Sequence, residues 1–228
     1  MEKSGSEKGK SPSQLIDARI KELRATGGVE DRAPRLRPGV RLNRSGPMAH
    51  VIEPATSGRA KCRGCGERIA KDALRLGERL PNLFGEGEMT LWFHLPCAAY
   101  KRPEPFLKAL QSTTQKIGDV AQLEHAARGA RAHRRLPRID GAKRASSGRA
   151  HCRHCRELIE QGTWRICLVY YQEGRFEPSG YVHLRCALAY FETADVIDHV
   201  RHFSPSLTEA DLAEIRAGLE PSGAESVG

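Results

Sequence analysis

No hydrophobic segment of this 228-residue sequence approaches the roughly 20 residues that a membrane-spanning helix needs. The first ten residues are rich in Lys, Glu, Ser and Gly, and because no apolar stretch follows them we expect no secretory signal. Aromatic residues make up only 6% of the chain, and hydrophobic residues 39%. These shortages predict a soluble protein without a membrane partner, in a reducing cytoplasm.

Motifs of phosphate-binding and nucleophilic enzymes are also missing. The sequence contains no Gly-x-x-x-x-Gly-Lys-Ser/Thr loop, no nucleophile elbow and no carboxylate pair in a catalytic context. We therefore predict that the protein is not an enzyme and has no small-molecule substrate.

Cysteine, by contrast, is frequent and clustered. There are seven cysteines, an odd number that does not suit a fully paired disulfide framework. In a reducing compartment, clustered cysteines more often hold a metal than form disulfides. Cys167 stands apart from the clusters in an apolar stretch, and we expect it to be a core residue.

Two segments of the sequence occur twice. Residues 57–65 read SGRAKCRGC and return at 147–155 as SGRAHCRHC, an offset of 90. Residues 92–97 read WFHLPC and return at 181–186 as YVHLRC, an offset of 89. A repeat whose cysteines and histidines stay in step across a variable loop indicates two copies of one module.

Each copy pairs Cys-x2-Cys with His-x2-Cys, separated by 28 residues in the first copy and 27 in the second. Zinc prefers four tetrahedral nitrogen and sulfur ligands, and three thiolates with one imidazole leave no open position for hydrolysis. The nucleobase-deaminase pattern does not apply, because the second cysteine required after Pro96-Cys97 is missing. The sequence therefore predicts two structural Zn²⁺ ions per chain, held by Cys62, Cys65, His94, Cys97, Cys152, Cys155, His183 and Cys186.

The spacing of apolar residues predicts an α+β fold. Period-2 alternation over 74–80 and 164–171 indicates strands, with hairpin connections at 81–88 and 173–180. Helices are predicted at 95–100, 119–133, 184–191 and 208–219, the last with a capping box that starts at Ser206. We expect two small zinc-stabilised modules, each a short antiparallel sheet with a zinc-ligand helix and a C-terminal helix.

Composition divides the chain into three regions. Residues 1–47 are predicted to be a disordered or weakly helical extension. Residues 48–135 are predicted to form the first zinc module with a basic helical linker, and residues 136–228 the second with its C-terminal helix. Histidines outside the repeat, such as His199 and His202, lack a partner motif, and we expect them at the surface.

The net charge of +9 is unevenly distributed. Residues 111–147 carry 8 Lys/Arg against 3 Asp/Glu, whereas residues 148–228 carry 8 against 12. A basic middle suits a polyanionic partner, although it also suits a solvated linker.

The repeated motif set resembles the zinc finger of poly(ADP-ribose) polymerases, which also occurs in a DNA ligase and in DNA-end phosphatases. The resemblance covers about residues 50–110 and 140–220, through the Ser-Gly-Arg-Ala segment, the cysteine pair and the His-x2-Cys pair. It implies a tandem zinc-finger protein without a catalytic domain that recognises DNA strand breaks or ends rather than a base sequence.

The resemblance also implies which residues contact DNA. Arginines bind phosphate through a planar fork, and an apolar side chain stacked on an exposed terminal base contributes ~1–3 kcal/mol. The alternatives are solvated surface arginines and loop residues that pack on their own module. The matching positions are Arg59, Arg75, Phe84 and Met89 in the first copy and Arg149, Arg165 and Phe176 in the second.

Two functions remain open on the sequence alone. The first is zinc-dependent, sequence-independent binding of nicked or ended duplex DNA, with a possible protein partner in repair. The second is a protein-interaction adaptor whose zinc modules are structural scaffolds, which the acidic C-terminal third favours. The first function predicts a DNA-associated protein, located at the nucleoid of a bacterium or in the nucleus of a eukaryote.

Overall fold

The computed structural model describes residues 49–82 and 85–220. These residues all belong to one compact unit, residues 46–228. The predicted N-terminal extension and Phe84 lie outside the described residues. Among the residues described, no helix is both long and apolar enough to cross a membrane.

The first module combines a three-stranded antiparallel sheet with three helices. Its strands follow one another in the order β1-β2-β3, and Arg75 of β2 lies opposite His94 of β3. The element bounds are β1 Val51–Pro54, β2 Leu74–Pro81, β3 Glu88–His94, α1 Leu95–Lys101, α2 Pro103–Ser112 and α3 Val120–Ala132.

The second module has the same three-stranded antiparallel sheet as the first but a different set of helices. Its antiparallel order is β4-β5-β6, and Arg165 of β5 lies opposite His183 of β6. The element bounds are a 3-10 turn Leu136–Arg138, β4 Ile139–Arg144, β5 Trp164–Gln172, β6 Arg175–His183, a 3-10 turn Leu184–Cys186, α4 Ala187–Phe191, α5 Ile197–Phe203 and α6 Glu209–Leu219. The two sheets with their helices confirm the predicted α+β class.

One predicted connection is wrong. Residues 173–180 were expected to form a loop, but only Glu173 and Gly174 form the turn, and β6 starts at Arg175. Both turn residues adopt a positive φ, 51° and 80°, which is the backbone of a tight two-residue hairpin. The Gly and Pro content of this segment is accommodated within the strand by a register shift between Leu168 and Val169.

The predicted helices are observed, but one capping box lies at other residues and two observed helices were not predicted. The predicted helices at 119–133 and 208–219 are observed as α3 and α6. The capping box of α6 forms between Thr208 and Asp211 rather than from Ser206. Helices α2 and α5 were not predicted.

Each module has its own hydrophobic core. Leu76, Phe93 and Phe106 lie at the centre of the first core, and Ile166, Phe191 and Ile215 at the centre of the second. Each core is small and holds few large apolar residues.

Three aromatic residues of the second module, Tyr171, Phe176 and Phe203, pack against the first core. The guanidinium of Arg102, at the junction of α1 and α2, lies 3.8 Å from the Tyr171 ring centroid. Arg102 also donates from Nε to Oε2 of the buried Glu78 at 2.8 Å. The two modules therefore share an extensive contact, which we call the inter-module interface.

Lys101, at the end of α1, lies at the centre of the inter-module interface. It is only 2% exposed, and its Nζ donates to the Gly64 carbonyl at 3.1 Å. It forms an ion pair with Asp140 of β4. Its ammonium lies 4.9 Å from the Phe176 ring centroid and 4.2 Å from that of Phe203. A buried ammonium with these partners holds the modules in one mutual arrangement.

Candidate metal centres and nucleic-acid surface

The first metal centre joins the loop between β1 and β2 to the junction of β3 and α1. The ligand atoms of Cys62, Cys65, His94 and Cys97 all lie within 4.8 Å of one another. Nδ1 of His94 lies 3.5 Å from Sγ of Cys65 and 3.9 Å from Sγ of Cys97. His94 ends β3 and Cys97 lies in the first turn of α1, so the register of the sheet places both beside the cysteine pair.

The second metal centre repeats this geometry. The ligand atoms of Cys152, Cys155, His183 and Cys186 also lie within 4.8 Å of one another. Nδ1 of His183 lies 3.4 Å from Sγ of Cys155 and 3.9 Å from Sγ of Cys186. All eight predicted ligands are thus brought together in two groups of four.

In both centres the histidine presents the same nitrogen to the cysteines. Nε2 of His94 lies 3.3 Å from the Arg68 carbonyl, and Nε2 of His183 lies 3.1 Å from the Leu158 carbonyl. A carbonyl only accepts, so each imidazole carries its proton on Nε2 and leaves Nδ1 free as a ligand.

The thiols of the first centre cannot all ionise without a cation. A hydrogen bond with Cys97, assisted by backbone donors at Gly64, Cys65 and His94, lowers the pKa of Cys62 to about 4. The same hydrogen bond with Cys62, together with burial, raises the pKa of Cys97. Like charges held this close favour one thiolate over the others. A divalent metal removes the conflict, because it stabilises all of the thiolates at once.

The second centre shows the same contrast between its thiols. Burial opposes ionisation of Cys152, but backbone donors at His183, Cys155 and His154 outweigh it and lower its pKa. Burial, followed by a hydrogen bond with Cys155, raises the pKa of Cys186 to about 12. Three sulfurs and one nitrogen in each centre fit a borderline-soft metal with tetrahedral coordination.

The four arginines predicted to contact DNA fall into two classes. Arg59 and Arg149 are exposed, each three residues before the first cysteine of its centre. Arg75 and Arg165 are only 6% and 5% exposed. Their guanidiniums lie 3.5 Å from the Trp92 ring centroid and 3.6 Å from the Tyr181 ring centroid.

The packing of Trp92 and Tyr181 against Arg75 and Arg165 was not predicted from the sequence. Arg75 also donates from Nη2 to Oε1 of Glu53 at 2.9 Å. Trp92 and Tyr181 each lie two residues before the ligand histidine, so the stacked arginine braces the strand that delivers that histidine. The internal repeat could have revealed these pairs, because it aligns Arg75 with Arg165 and Trp92 with Tyr181.

The apolar residues predicted to stack on DNA differ in their placement. Met89 is half-buried and packs against the first core. The ring of Phe176 lies within the inter-module interface, 4.9 Å from the Tyr171 ring and 6.4 Å from the Phe93 ring. In this arrangement Phe176 is a contact between the modules.

The surface placement predicted for His199 and His202 is wrong. Both lie on α5, which packs beside the first metal centre, and His199 is only 3% exposed. Burial lowers the pKa of His199 to about 4, so the ring is neutral. Cys167 is half-buried in β5, opposite Tyr181, and burial raises the pKa of its thiol.

Residues 53–129 match the family described as "Poly(ADP-ribose) polymerase and DNA-Ligase Zn-finger region". The chain is 30% identical to poly [ADP-ribose] polymerase 1 of Oryza sativa subsp. japonica over 161 residues, 66% of this chain and 15% of the relative. It is 32% identical to poly [ADP-ribose] polymerase 1 of Gallus gallus over 138 residues, 54% of this chain and 14% of the relative.

A third relative carries a different activity in its name. The chain is 25% identical to the polynucleotide 3'-phosphatase ZDP of Arabidopsis thaliana over 197 residues, 74% of this chain and 28% of the relative. The chain thus spans less than a third of the length of these relatives. The first module thus carries a zinc-finger region of the poly(ADP-ribose) polymerase and DNA-ligase type, and the second module repeats its sheet and its Cys/Cys/His/Cys group.

Proposed function

We propose that this chain is a non-catalytic protein that holds two zinc ions and binds DNA strand breaks or ends independently of base sequence. The observation that carries the proposal is the doubled Cys/Cys/His/Cys centre in a fold whose first module matches the polymerase and ligase zinc-finger region. Such a protein acts where DNA is, at the nucleoid of a bacterium or in the nucleus of a eukaryote.

Zinc in these centres has a structural role. It joins the loop after β1 to the β3–α1 junction in the first module, and the equivalent elements in the second. Because three thiolates and one imidazole complete a tetrahedral shell, the protein's own ligands exclude water from the metal. The coordination bonds therefore stabilise each module and fix the backbone on which the DNA-facing residues stand.

Arg59 and Arg149 are the residues that we expect to contact phosphate directly. Both are exposed, and the repeat places them at equivalent positions beside a metal centre. Arg75 and Arg165 support this surface from beneath, because their guanidiniums are stacked on Trp92 and Tyr181. Contacts to phosphate alone supply affinity without sequence preference.

Recognition of a break requires a group that intact duplex cannot accommodate. In the first module we expect that role for Phe84, which follows β2 in the sequence, and for Met89, which lies at the start of β3. An apolar side chain gains by stacking on the base pair exposed at a nick or an end, which the intact stack conceals. We therefore expect preference for nicked and ended duplex over intact duplex.

The first module is expected to provide most of the affinity. It continues into the basic segment 111–147, which attracts phosphate, whereas residues 148–228 carry more acidic than basic residues. In addition, Phe176 of the second module is engaged in the inter-module interface. The second module then contributes Arg149 and support for the first.

A gel-shift titration of the full chain tests this function. Zinc-loaded protein should bind nicked and blunt-ended duplex more tightly than covalently closed duplex of the same sequence at one fixed salt concentration. A chelator should abolish binding, and restored zinc should recover it. Equal affinity for closed and nicked duplex would contradict break recognition while leaving DNA binding intact.

A second candidate function is a protein-interaction adaptor. A cavity of 310 Å³ in the second module is lined mainly by apolar residues, among them Ile197 and Leu219, and by the exposed Leu188. An accessible apolar groove suits a protein partner in repair. If the adaptor is the whole function, zinc-loaded protein gives no shift with nicked duplex.

A further inference from the structure

Helix α5 of the second module lies directly against the metal centre of the first. Nε2 of His202 is 3.1 Å from Sγ of Cys97, although the two residues are 105 positions apart in the sequence. Neither the repeat nor the ligand spacing predicts this contact, because His202 belongs to no Cys/His motif.

The packing around His202 fixes the ring in this position. Its ring centroid lies 5.0 Å from that of Tyr100 on α1 and 4.7 Å from that of Phe203. Phe203 in turn lies 4.2 Å from the Lys101 ammonium, which donates to the Gly64 carbonyl inside the Cys62–Cys65 turn. Contacts of His202 with Tyr100 and of Phe203 with Lys101 therefore fix α5 beside the first metal centre.

The thiols of the first centre differ in the donors that they receive. Sγ of Cys62 accepts the backbone N–H groups of Gly64 and His94, each at 3.3 Å. For Cys97, His202 is the one hydrogen-bonding partner from outside the ligand set within residues 49–82 and 85–220. A thiolate that lacks backbone donors carries more charge and is more readily protonated or alkylated.

We propose that His202 is an outer-shell residue of the first metal centre, and that the second finger in this way completes the first. The imidazole donates Nε2–H to the Cys97 thiolate, withdraws charge from the sulfur and holds it on the metal. Outer-shell donors of this kind raise metal affinity by about 10–100-fold. His202 is a positioning residue, because it acts on the metal only through Cys97.

The second centre provides an internal control. Cys186 stands at the position that corresponds to Cys97, and its neighbour at 3.9 Å is its own ligand, His183. Among the described residues, no histidine of the first module contacts Cys186. Loss of the His202 donor should therefore affect the first centre alone.

The proposal rests on the zinc binding proposed above, and the test separates the two. Zinc is first counted by elemental analysis in the purified full chain. The protein is then mixed with excess chelator, and pulses of a thiol-alkylating reagent at successive times report each cysteine by mass spectrometry. Wild type is compared with His202→Leu, which keeps an apolar side chain but donates nothing, and with His202→Gln, which keeps an N–H donor. His125→Leu makes the same change at an exposed histidine of α3.

We expect His202→Leu to speed modification of Cys62, Cys65 and Cys97 about tenfold, with the cysteines of the second centre unchanged. His202→Gln should stay close to wild type, and so should His125→Leu. A packing role predicts the opposite order, with the Leu variant close to wild type and the Gln variant fast. That order, equal rates in both variants, or equal acceleration of both centres would overturn the proposal.

The zinc content and the folding of the variants distinguish failure of zinc binding from failure of the role proposed for His202. If wild type contains no zinc, both the zinc function and the outer-shell role fail. If it contains two zinc ions and the His202 variants do not fold, proton–nitrogen correlation spectra of wild type decide the matter. A His202 ring that carries no proton on Nε2 in the zinc-loaded protein would overturn the proposal, and a hydrogen-bonded Nε2 proton supports it.

Discussion

At the scale of single residues, the arginines of each finger divide according to what covers them. Arg59 and Arg149 are exposed, whereas Arg75 and Arg165 lie beneath an aromatic ring. The sequence predicted the metal ligands because the Cys-x2-Cys and His-x2-Cys spacings occur together, and because both occur again in the second copy. It could not separate the arginines, because alternation along a strand does not reveal that Trp92 and Tyr181 cover the polar face.

We predict that Arg59→Ala weakens binding to nicked and closed duplex by similar factors. Loss of one phosphate contact should reduce the slope of log affinity against log salt by about 1. Titrations at several salt concentrations measure both quantities. Arg216→Ala removes an exposed arginine from the acidic second module and should change neither. An unchanged salt slope in Arg59→Ala would remove Arg59 from the DNA surface.

We predict that His199 makes the protein sensitive to acid. Its pKa is lowered by burial from an ordinary 6.5 to about 4, so the unfolded chain binds a proton more readily than the folded one. The stabilisation is complete above pH 6.5 and is lost as the pH falls towards 4, about 3 kcal/mol in all.

Urea unfolding of wild type and His199→Leu at pH 7.5 and pH 5 tests this prediction. The free-energy difference between the two proteins should shift in favour of the variant at the lower pH. His125→Leu removes an exposed histidine and should show the same pH dependence as wild type. A variant that loses as much stability as wild type on acidification would refute the role of His199.

At the scale of elements, the two sheets accommodate an aromatic ring on the third strand by different pairs of side chains. Gly77 lies opposite Trp92 in the first sheet, and Cys167 lies opposite Tyr181 at the matching pair of the second. A Cβ added at Gly77 would lie 2.7 Å from Cζ3 of Trp92. The larger ring is thus matched with no side chain and the smaller ring with a thiol.

We predict that Gly77→Ala destabilises the protein by about 1–3 kcal/mol, because the methyl group displaces the Trp92 ring. Gly118→Ala is the control, since nothing lies within 4 Å of its added Cβ. In the second sheet, Tyr181→Trp should be destabilising alone and tolerated together with Cys167→Gly, with a coupling energy of about 0.5–3 kcal/mol. Additive effects in chemical denaturation would contradict the size match.

Sequence reasoning identified the helices that follow a ligand motif or show a helical pattern, and it missed α2 and α5. Helix α3 has 13 residues and α6 has 11, enough turns to show a helical pattern or a capping signal. Helix α5 has 7 residues and was missed, because its role depends on contacts with another module. The Glu173–Gly174 turn was missed because the Gly and Pro residues of β6 resemble loop composition.

At the scale of the whole molecule, the inter-module interface is the feature that sequence could not provide. Lys101, Tyr171 and Phe176 carry no motif, and Phe176 was predicted to face DNA. The interface forms only when both modules are folded, because Lys101 of the first module contacts Asp140, Phe176 and Phe203 of the second. Repeats reveal that two copies exist, but they do not reveal how the copies pack.

We predict that Lys101→Ala separates the unfolding of the two modules. Asp140 keeps some exposure, so the loss should be about 1–3 kcal/mol, below that of a fully buried pair. Calorimetry of zinc-loaded protein should show one transition for wild type and two for the variant. Lys108→Ala, an exposed lysine on α2, should unfold like wild type. A single unshifted transition in Lys101→Ala would contradict the prediction.

The position of Phe176 has a consequence for the DNA binding that we propose for the two modules. If Phe176 stacks on a base, it must first leave the Tyr171 ring and the Lys101 ammonium. Only the fraction of molecules with the modules apart is then competent for two-finger binding, and the apparent dissociation constant rises in inverse proportion to that fraction. A partner or a modification that loosened the interface would free Phe176 and thereby raise the affinity of the second module for DNA.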